Sequence, residues 1–249
     1  MFNIDTYAYP EGLRLLGRWQ SGDLDGKLEL TKVIDAAIAG ELDNCFKLTE
    51  LPDRVHSTAC MQMLGLGVLN DLYGIESWEY YNVDAYRFVR VSLALSKLLG
   101  VEKPYVTWAL YALTCEPLGQ KMMYPDKYPP GSDPDTVLID KNNWHKLKTP
   151  DFTTGIPKMI DEILRVTEEL TGLPPMLQLS APYSLAADIY GQEPLLADVV
   201  HDPDTVNALL DHLGDVVLGP WMDHFYEKFP NGWVELSDAS GSPFFIGPE

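Results

Sequence analysis

The sequence alternates short apolar segments with longer amphipathic ones, and this alternation limits the fold more than any other feature. The apolar segments have the length and composition of buried strands, and they lie at 54–62, 104–115, 174–182 and 233–240. The helical patterns precede and separate them, at 11–50, 85–100, 156–171 and 203–217. Parallel strands joined by helical crossovers have this order, so the sequence predicts an α/β barrel or a doubly wound sheet.

Residues typical of helix ends lie at the boundaries of these patterns. Asp84 precedes the helix predicted at 85–100, and Gly100 ends it. Asp202 followed by Pro203 is a typical helix start.

The charge balance excludes some classes of partner. The chain has 37 acidic and 18 basic residues, a net charge of −19. Such a surface repels phosphate backbones, so nucleic acid is not expected as a partner, and a polyanionic substrate would need a local basic cluster. No apolar run is long enough for a membrane span and no secretory signal is present. Three scattered cysteines fit a reducing compartment, so we predict a cytoplasmic protein.

Four segments resemble one family in order and spacing. They are PDRV at 52–55, EPLGQKMMYPDKYPP at 116–130, the block from SAPYSLAADIYG to TVNALL at 180–210, and SDASGSP at 237–243. Together they resemble the uroporphyrinogen decarboxylase superfamily, which includes zinc- and corrinoid-dependent methyltransferases, over residues 33–249. The resemblance implies a (β/α)8 TIM-barrel fold. Only about four parallel strands are recognisable here, so we expect an incomplete barrel: an N-terminal helical segment at 1–50 and the first half of the barrel at 51–249.

Two departures bear on the reaction. The decarboxylase branch grips substrate carboxylates with an Arg-Gln-Ala-Gly-Arg loop, whereas ACMQMLG at 59–65 has no arginine. That branch's catalytic aspartate and tyrosine fall at Leu110 and Asp188. The methyltransferase branch holds zinc with a His-x-Cys pair and a later cysteine, in a region that this chain does not include. The resemblance therefore implies zinc with ligands outside this chain, no metal site within it, and a cobamide on a partner protein.

Candidate site residues follow the predicted strands, where barrel enzymes place their chemistry. The predicted catalytic residues are Glu116 and Asp238, and the predicted substrate-binding residues are His56, Cys60, Gln62, Cys115, Tyr183 and Ser184. Each has an alternative role. Glu116 can be a loop or capping carboxylate, Asp238 can bond its own turn, and Ser184 can cap the helix at 185–190. Tyr183 can pack at a pocket mouth. Cys60 and Cys115 can be core residues or, on neighbouring strands, ligands of one metal.

Three functions are compatible with this pattern. The first is methyl transfer between a small methylated substrate or thiol and a corrinoid protein, with this chain as the substrate-facing N-terminal half. The second is decarboxylation of the uroporphyrinogen type, and the third is a non-catalytic subunit. Half a barrel leaves open strand edges. We therefore expect a complementary C-terminal half or a second subunit as partner, in a split protein or a longer one.

Overall fold

The computed structural model describes residues 2–48, 55–82 and 84–241, and helices predominate. The chain divides into two compact units. The first comprises Met1–Thr107, Pro125–Pro129 and Glu162–Pro175, and the second comprises Trp108–Tyr124, Pro130–Asp161 and Met176–Glu249. The division falls inside a helix of seventeen residues, α7 in the order below.

The first unit is helical. Its elements before that helix are α1 Glu11–Gln20, α2 Leu24–Ile38, α3 Gln62–Tyr73, α4 Ser77–Tyr81 and α5 Ala85–Leu98, with 3-10 turns at Ile4–Tyr7 and Asp43–Cys45. As predicted, the Asp84 carboxylate accepts a hydrogen bond from the Arg87 amide and so begins α5. Gly100 follows α5 with φ +67°, a conformation that favours glycine.

α5 is the central helix of the first unit. α1, α2 and α3 all pack against it, and most of its residues are buried. The Arg90 guanidinium on α5 donates two hydrogen bonds to the Asp43 carboxylate, at 2.9 and 2.6 Å. This paired contact connects α5 to the turn that follows α2.

The first two predicted strands are wrong as strands. Residues 55–61 carry no regular element, and α3 begins at Gln62. Two backbone hydrogen bonds, from Lys103 to Ser57 and from Tyr105 to Ala59, align this segment with 103–105 in the parallel sense without forming a strand pair. Residue 54, where the first strand was predicted to begin, lies outside the described residues.

The second predicted strand, at 104–115, contains a helix instead. Residues 104–109 are irregular, and α6 occupies Leu110–Cys115. The physical reason is the change in composition. Leu110, Ala112 and Leu113 are good helix formers, whereas the β-branched and aromatic residues of the segment lie mainly before them.

The second unit contains the strands. Its elements after α6 are β1 Met122–Met123, β2 Gly131–Ser132, α7 Gly155–Thr171, β3 Met176–Ser180, α8 Pro182–Tyr190, α9 Gln192–His201, α10 Pro203–Leu213, α11 Gly219–Lys228 and β4 Trp233–Ser237. It also has 3-10 turns at Glu116–Leu118 and Trp144–Lys146, and a π-helical stretch at Gly214–Leu218 that connects α10 to α11. The Asp202 carboxylate accepts from the Thr205 amide at the start of α10, as predicted.

β3 and β4 form the parallel pair that the last two apolar segments predict. They align from Met176 opposite Trp233 to Ser180 opposite Ser237. β3 is largely buried and packs against α6 and α8, whereas Trp233 and Leu236 on β4 are exposed. β1 and β2 pair antiparallel. The described chain therefore has two parallel strands rather than four, in a fold consistent with part of a β/α barrel.

None of the described helices is a candidate for a membrane span. Within 2–48, 55–82 and 84–241, no helix combines the length and the hydrophobicity that crossing a bilayer requires.

Candidate functional site

The carboxyl ends of β3 and β4 meet at one edge of the second unit. Ser180 and Ser237 are the last residues of the two strands and lie opposite each other. The Ala181 amide continues the ladder by donating to the Ser237 carbonyl oxygen at 2.8 Å. The residues that follow each strand are thereby brought together, which is where parallel α/β folds place their sites.

Ser184 and Asp238 form the centre of this edge. The Ser184 hydroxyl donates to Asp238 Oδ1 at 2.7 Å and accepts from the Ser240 amide at 3.1 Å. The Gly241 amide donates to the same carboxylate oxygen at 2.8 Å. Ser184 is fully buried, whereas Asp238 is exposed. These two hydrogen bonds fix Asp238 Oδ1, and no hydrogen bond to Oδ2 is found within the described residues.

Gly241 completes the turn without displacing this carboxylate. A Cβ placed on Gly241 would lie 2.6 to 2.8 Å from the Asp238 carboxylate atoms, so a larger residue would force the carboxylate to move. The two roles considered for Asp238, turn structure and ligand orientation, are therefore compatible. The alternative role of Ser184 as a helix cap is wrong, because α8 begins at Pro182 and its N-cap is Ala181.

Two further hydroxyl groups, on α6 and at the end of β3, form a hydrogen bond with each other. The Thr114 hydroxyl on α6 donates to the Ser180 hydroxyl at 3.2 Å, and both side chains are fully buried. We call Thr114, Ser180, Ser184 and Asp238 the strand-end cluster. Its polar atoms are hydroxyls and one carboxylate, and it contains no cationic side chain.

Asp188 lies one helical turn after Ser184 on α8, so the two share a face of that helix. Burial raises the pKa of Asp188 to about 6, and the side chains of Cys115 and Ser132 beside it partly oppose that rise. Its Oδ2 is buried and makes no hydrogen bond within the described residues. Asp188 can therefore exchange a proton near neutral pH, as a general acid or base must.

The carboxylates of Asp188 and Asp238 also influence the pKa values of two residues on α6, Cys115 and Tyr111. Burial, followed by the charge of Asp188, raises the pKa of the Cys115 thiol well above its usual range. Burial, followed by the charges of Asp188 and Asp238, raises the pKa of the Tyr111 phenol. Cys115 is thus a buried neutral thiol, and Tyr111 is a protonated phenol near both carboxylates.

Sequence reasoning did not select Asp188 as a site residue. The sequence gives one signal for it, since Asp188 aligns with the tyrosine of the decarboxylase branch. An aspartate at that position is a departure from the family, and by itself it does not indicate a functional residue.

Glu116, the other predicted catalytic residue, has a different environment within the second unit. It begins the 3-10 turn at Glu116–Leu118, and its Oε2 accepts from the Tyr124 hydroxyl at 2.8 Å. It lines a groove of about 250 Å³ with Asp151, Thr154 and the first residues of α7. Among the described residues, no hydrogen bond or ion pair joins Glu116 to the Ser184–Asp238 pair.

The three predicted residues of the first unit are held by neighbours in that unit. His56 Nδ1 lies 3.6 Å from Glu102 Oε2, and Gln62 accepts from the Tyr81 hydroxyl at 3.2 Å. The Cys60 thiol lies 3.9 Å from the Thr107 carbonyl oxygen, and burial raises its pKa. Cys60 is thus a half-buried thiol, and its role as a substrate contact stays a prediction.

The implied zinc does not fit the described residues. Nowhere in 2–48, 55–82 and 84–241 do three or more His, Cys, Asp or Glu side chains converge so that they could hold a metal ion. Neither the Cys60–Cys115 hypothesis nor the Asp188 and Cys115 pair gains a third ligand of these types in that part of the chain.

The fold and the strand-end cluster define a class of protein, a β/α fold with polar residues at the carboxyl ends of parallel strands. A solved structure of a methyltransferase from Methanosarcina mazei is similar, with a TM-score of 0.62 and 18% sequence identity. The similarity covers 86% of this chain and 60% of that one. At this identity the similarity establishes the fold alone.

The family follows from the sequence itself. The family model for uroporphyrinogen decarboxylase (URO-D) matches residues 70–219, which is more than half of the chain. The chain therefore belongs to the uroporphyrinogen decarboxylase family. No curated protein matches the sequence.

Proposed function

We propose that this chain supplies the substrate-facing part of a methyltransferase that moves a methyl group between a small methylated compound or thiol and a corrinoid-carrying protein. The main support is the chemistry of the strand-end cluster, in which the Ser184 hydroxyl fixes the Asp238 carboxylate and the other polar groups are the hydroxyls of Thr114 and Ser180. None of these four residues carries a positive charge. Such a site suits a small neutral or weakly acidic substrate. A polycarboxylate would meet the Asp238 charge without a cation to balance it.

The chain's own residues suggest a division of roles. Asp238, fixed by Ser184 and by the Gly241 amide, orients the substrate through its other oxygen. Asp188 can accept a proton at neutral pH because burial raises its pKa to about 6. A thiol substrate must lose a proton before its sulfur can accept a methyl group. Asp188 is our candidate for the group that receives this proton.

The proposal includes a partner, because the chain spans only about 60% of the length of the similar methyltransferase. Within the described residues β4 pairs with β3 on one side, and Trp233, Glu235 and Leu236 on β4 are exposed. A strand at the edge of a sheet can accept a further strand. We propose that a complementary C-terminal half or a second subunit pairs along β4 and brings the zinc ligands, and that a cobamide arrives on a separate protein.

The alternative is decarboxylation of a porphyrinogen, which the name of the matching family favours. The reaction needs cations for the substrate carboxylates and a carboxylate that stabilises the developing charge at the pyrrole nitrogens. The position of the branch's catalytic aspartate is Leu110, a neutral residue at the start of α6. We therefore place this function second.

The test compares the two reactions directly. The purified chain is assayed alone and together with the protein encoded beside it, with methylcobalamin as methyl donor and 2-mercaptoethanol as acceptor thiol, and zinc content is measured in both samples. We expect loss of the methylcobalamin absorption in the combined sample, together with bound zinc. Turnover of uroporphyrinogen in place of methyl transfer would establish the alternative, and neither activity would favour a non-catalytic subunit.

A further inference from the structure

Tyr111 occupies the solvent-facing end of one face of α6. On this short helix Tyr111, Thr114 and Cys115 are spaced three and four positions apart, so their side chains lie on the same face. The Thr114 hydroxyl bonds Ser180 at the end of β3, and Cys115 lies beside Asp188 on α8. This face of α6 therefore packs against β3 and α8. Thr114 and Cys115 are fully buried, whereas Tyr111 is half-buried, so the face reaches solvent at Tyr111.

The Tyr111 phenol is a hydrogen-bond donor near two carboxylates. The phenol makes no hydrogen bond and no ring contact with any described residue. Burial raises its pKa, and the charges of Asp188 and Asp238 raise it further, which places the phenol within electrostatic reach of both carboxylates. The phenol is thus neutral at physiological pH, and its proton is available to a ligand.

A second phenol near Asp238 is enclosed by the protein. Tyr183 on α8, a predicted substrate-binding residue, is 9% exposed, and its buried hydroxyl has no hydrogen-bond partner among the described residues. Burial raises its pKa, and the charge of Asp238 raises it further. The role of Tyr183 as a substrate contact stays a prediction. Of these two phenols, Tyr111 has the larger exposed surface.

Asp238 supplies an acceptor that complements the phenol. Its Oδ1 accepts from the Ser184 hydroxyl and the Gly241 amide, and no described residue donates to its Oδ2. A group bound between Tyr111 and Asp238 must accept a hydrogen bond from the phenol and donate one to the carboxylate. A hydroxyl group does both. An ammonium group cannot accept the bond, and an anionic group would be repelled by the carboxylates of Asp188 and Asp238.

We propose that Tyr111 determines the specificity of the strand-end cluster for a small thiol or methyl thioether that also carries a hydroxyl group. The substrate hydroxyl accepts from the Tyr111 phenol and donates to Asp238, and the substrate sulfur is left for methyl transfer. This inference rests on the proposed function and deepens it, since it names the substrate class. Tyr111 contacts a group that does not react, so it contributes to substrate binding and not to the chemical step.

The first test changes one group of the substrate. 2-Mercaptoethanol and 1-propanethiol have the same number of heavy atoms and differ in a hydroxyl group against a methyl group. In the combined sample with methylcobalamin, we expect kcat/KM to be about tenfold higher for 2-mercaptoethanol, because 1-propanethiol leaves the phenol and the carboxylate without a partner. Equal kcat/KM values for the two thiols would overturn the proposal.

The second test changes the protein. Tyr111→Phe keeps the ring and removes the hydroxyl, and Tyr226→Phe makes the same change at an exposed tyrosine of α11. We expect Tyr111→Phe to reduce the preference for 2-mercaptoethanol to about twofold or less, through a higher KM with kcat retained. Tyr226→Phe should keep the wild-type preference, and urea midpoints show that both variants are folded. An unchanged preference in Tyr111→Phe, or an equal loss of kcat for both thiols, would contradict the proposed contact.

A binding measurement separates this proposal from methyl transfer itself. 2-Methylthioethanol and methyl propyl sulfide are the methylated forms of the two thiols, and their binding is measured by ligand-observed NMR titration in the combined sample without methylcobalamin. We expect wild type to bind the hydroxyl compound about tenfold more tightly, and Tyr111→Phe to lose this difference. That result without any methyl transfer would refute the proposed function alone. Equal or absent binding of the two sulfides to wild type would refute the role of Tyr111.

Discussion

Replacing Asp188 with asparagine tests whether the carboxylate beside Cys115 and Ser132 is buried at an electrostatic cost. Burial raises the pKa of Asp188 to about 6 in the folded chain, from an ordinary value of 3.8. The pKa difference is about 2, and a pKa difference of 1 corresponds to about 1.4 kcal/mol. Ionising Asp188 in the folded protein therefore costs at most about 3 kcal/mol of stability, a cost that the neutral asparagine avoids.

The sign of the pH dependence follows from the direction of the shift. Because the folded-state pKa is raised, wild type and Asp188→Asn should differ least below pH 4, where the carboxyl is protonated in both the folded and the unfolded chain. As the pH rises through 4 to 6, the unfolded chain loses its proton first and the wild type loses stability relative to the variant. Above pH 7 the difference should be constant, with the variant more stable by about 2–3 kcal/mol.

The assay is urea unfolding followed by tryptophan fluorescence, at several pH values between 5 and 8. Roughly half of the full difference should develop across this interval. Asp223→Asn is the matched control, since it removes the same charge at an exposed position on α11. A stability difference for Asp188→Asn that is independent of pH, or a variant less stable than wild type at pH 8, would refute the reasoning.

Three further predictions concern other contacts. Ser184→Ala should lower the free energy of unfolding by about 1–2 kcal/mol, because it removes the donor to Asp238 and the acceptor for the Ser240 amide; urea unfolding measures this, and an unchanged midpoint would contradict it. Arg90→Lys should cost about 1–3 kcal/mol because lysine cannot reproduce the paired contact with Asp43, and a loss no larger than that for Arg14→Lys at an exposed site would argue against this role. Iodoacetamide at pH 7.5 should modify Cys45 before Cys115, since Cys115 is fully buried with a raised thiol pKa; peptide mass spectrometry gives the order, and the reverse order would show that Cys115 is accessible.

The last two strands were predictable because their apolar runs end at recognisable turns. SAP begins at the last residue of β3 and SDAS at the last residue of β4, and placing both at strand ends brought Ser184 and Asp238 to one edge. Their direct hydrogen bond was not predictable. It depends on the register of the β3–β4 pair, which a single sequence does not specify for two residues separated by 54 positions.

The prediction of the second strand was wrong for a local reason. Residues 104–115 are mostly apolar, and an apolar run without alternation is compatible with a buried helix as well as a strand. The helix formers from Leu110 to Leu113 decided the second half of the run. Asp188 was missed because its raised pKa results from burial beside residues distant in sequence, Cys115 and Ser132, and α8 alone gives no sign of them.

The rate of methyl transfer in a matched pair of variants tests the central claim most directly. Asp238→Asn and Asp223→Asn remove the same charge, one at the strand-end cluster and one on the exposed face of α11. In the combined sample with methylcobalamin and 2-mercaptoethanol, we expect Asp238→Asn to lower kcat/KM about tenfold or more and Asp223→Asn to leave it unchanged. Equal rates for the two variants, at equal stability, would contradict the assignment of the active site to the carboxyl ends of β3 and β4.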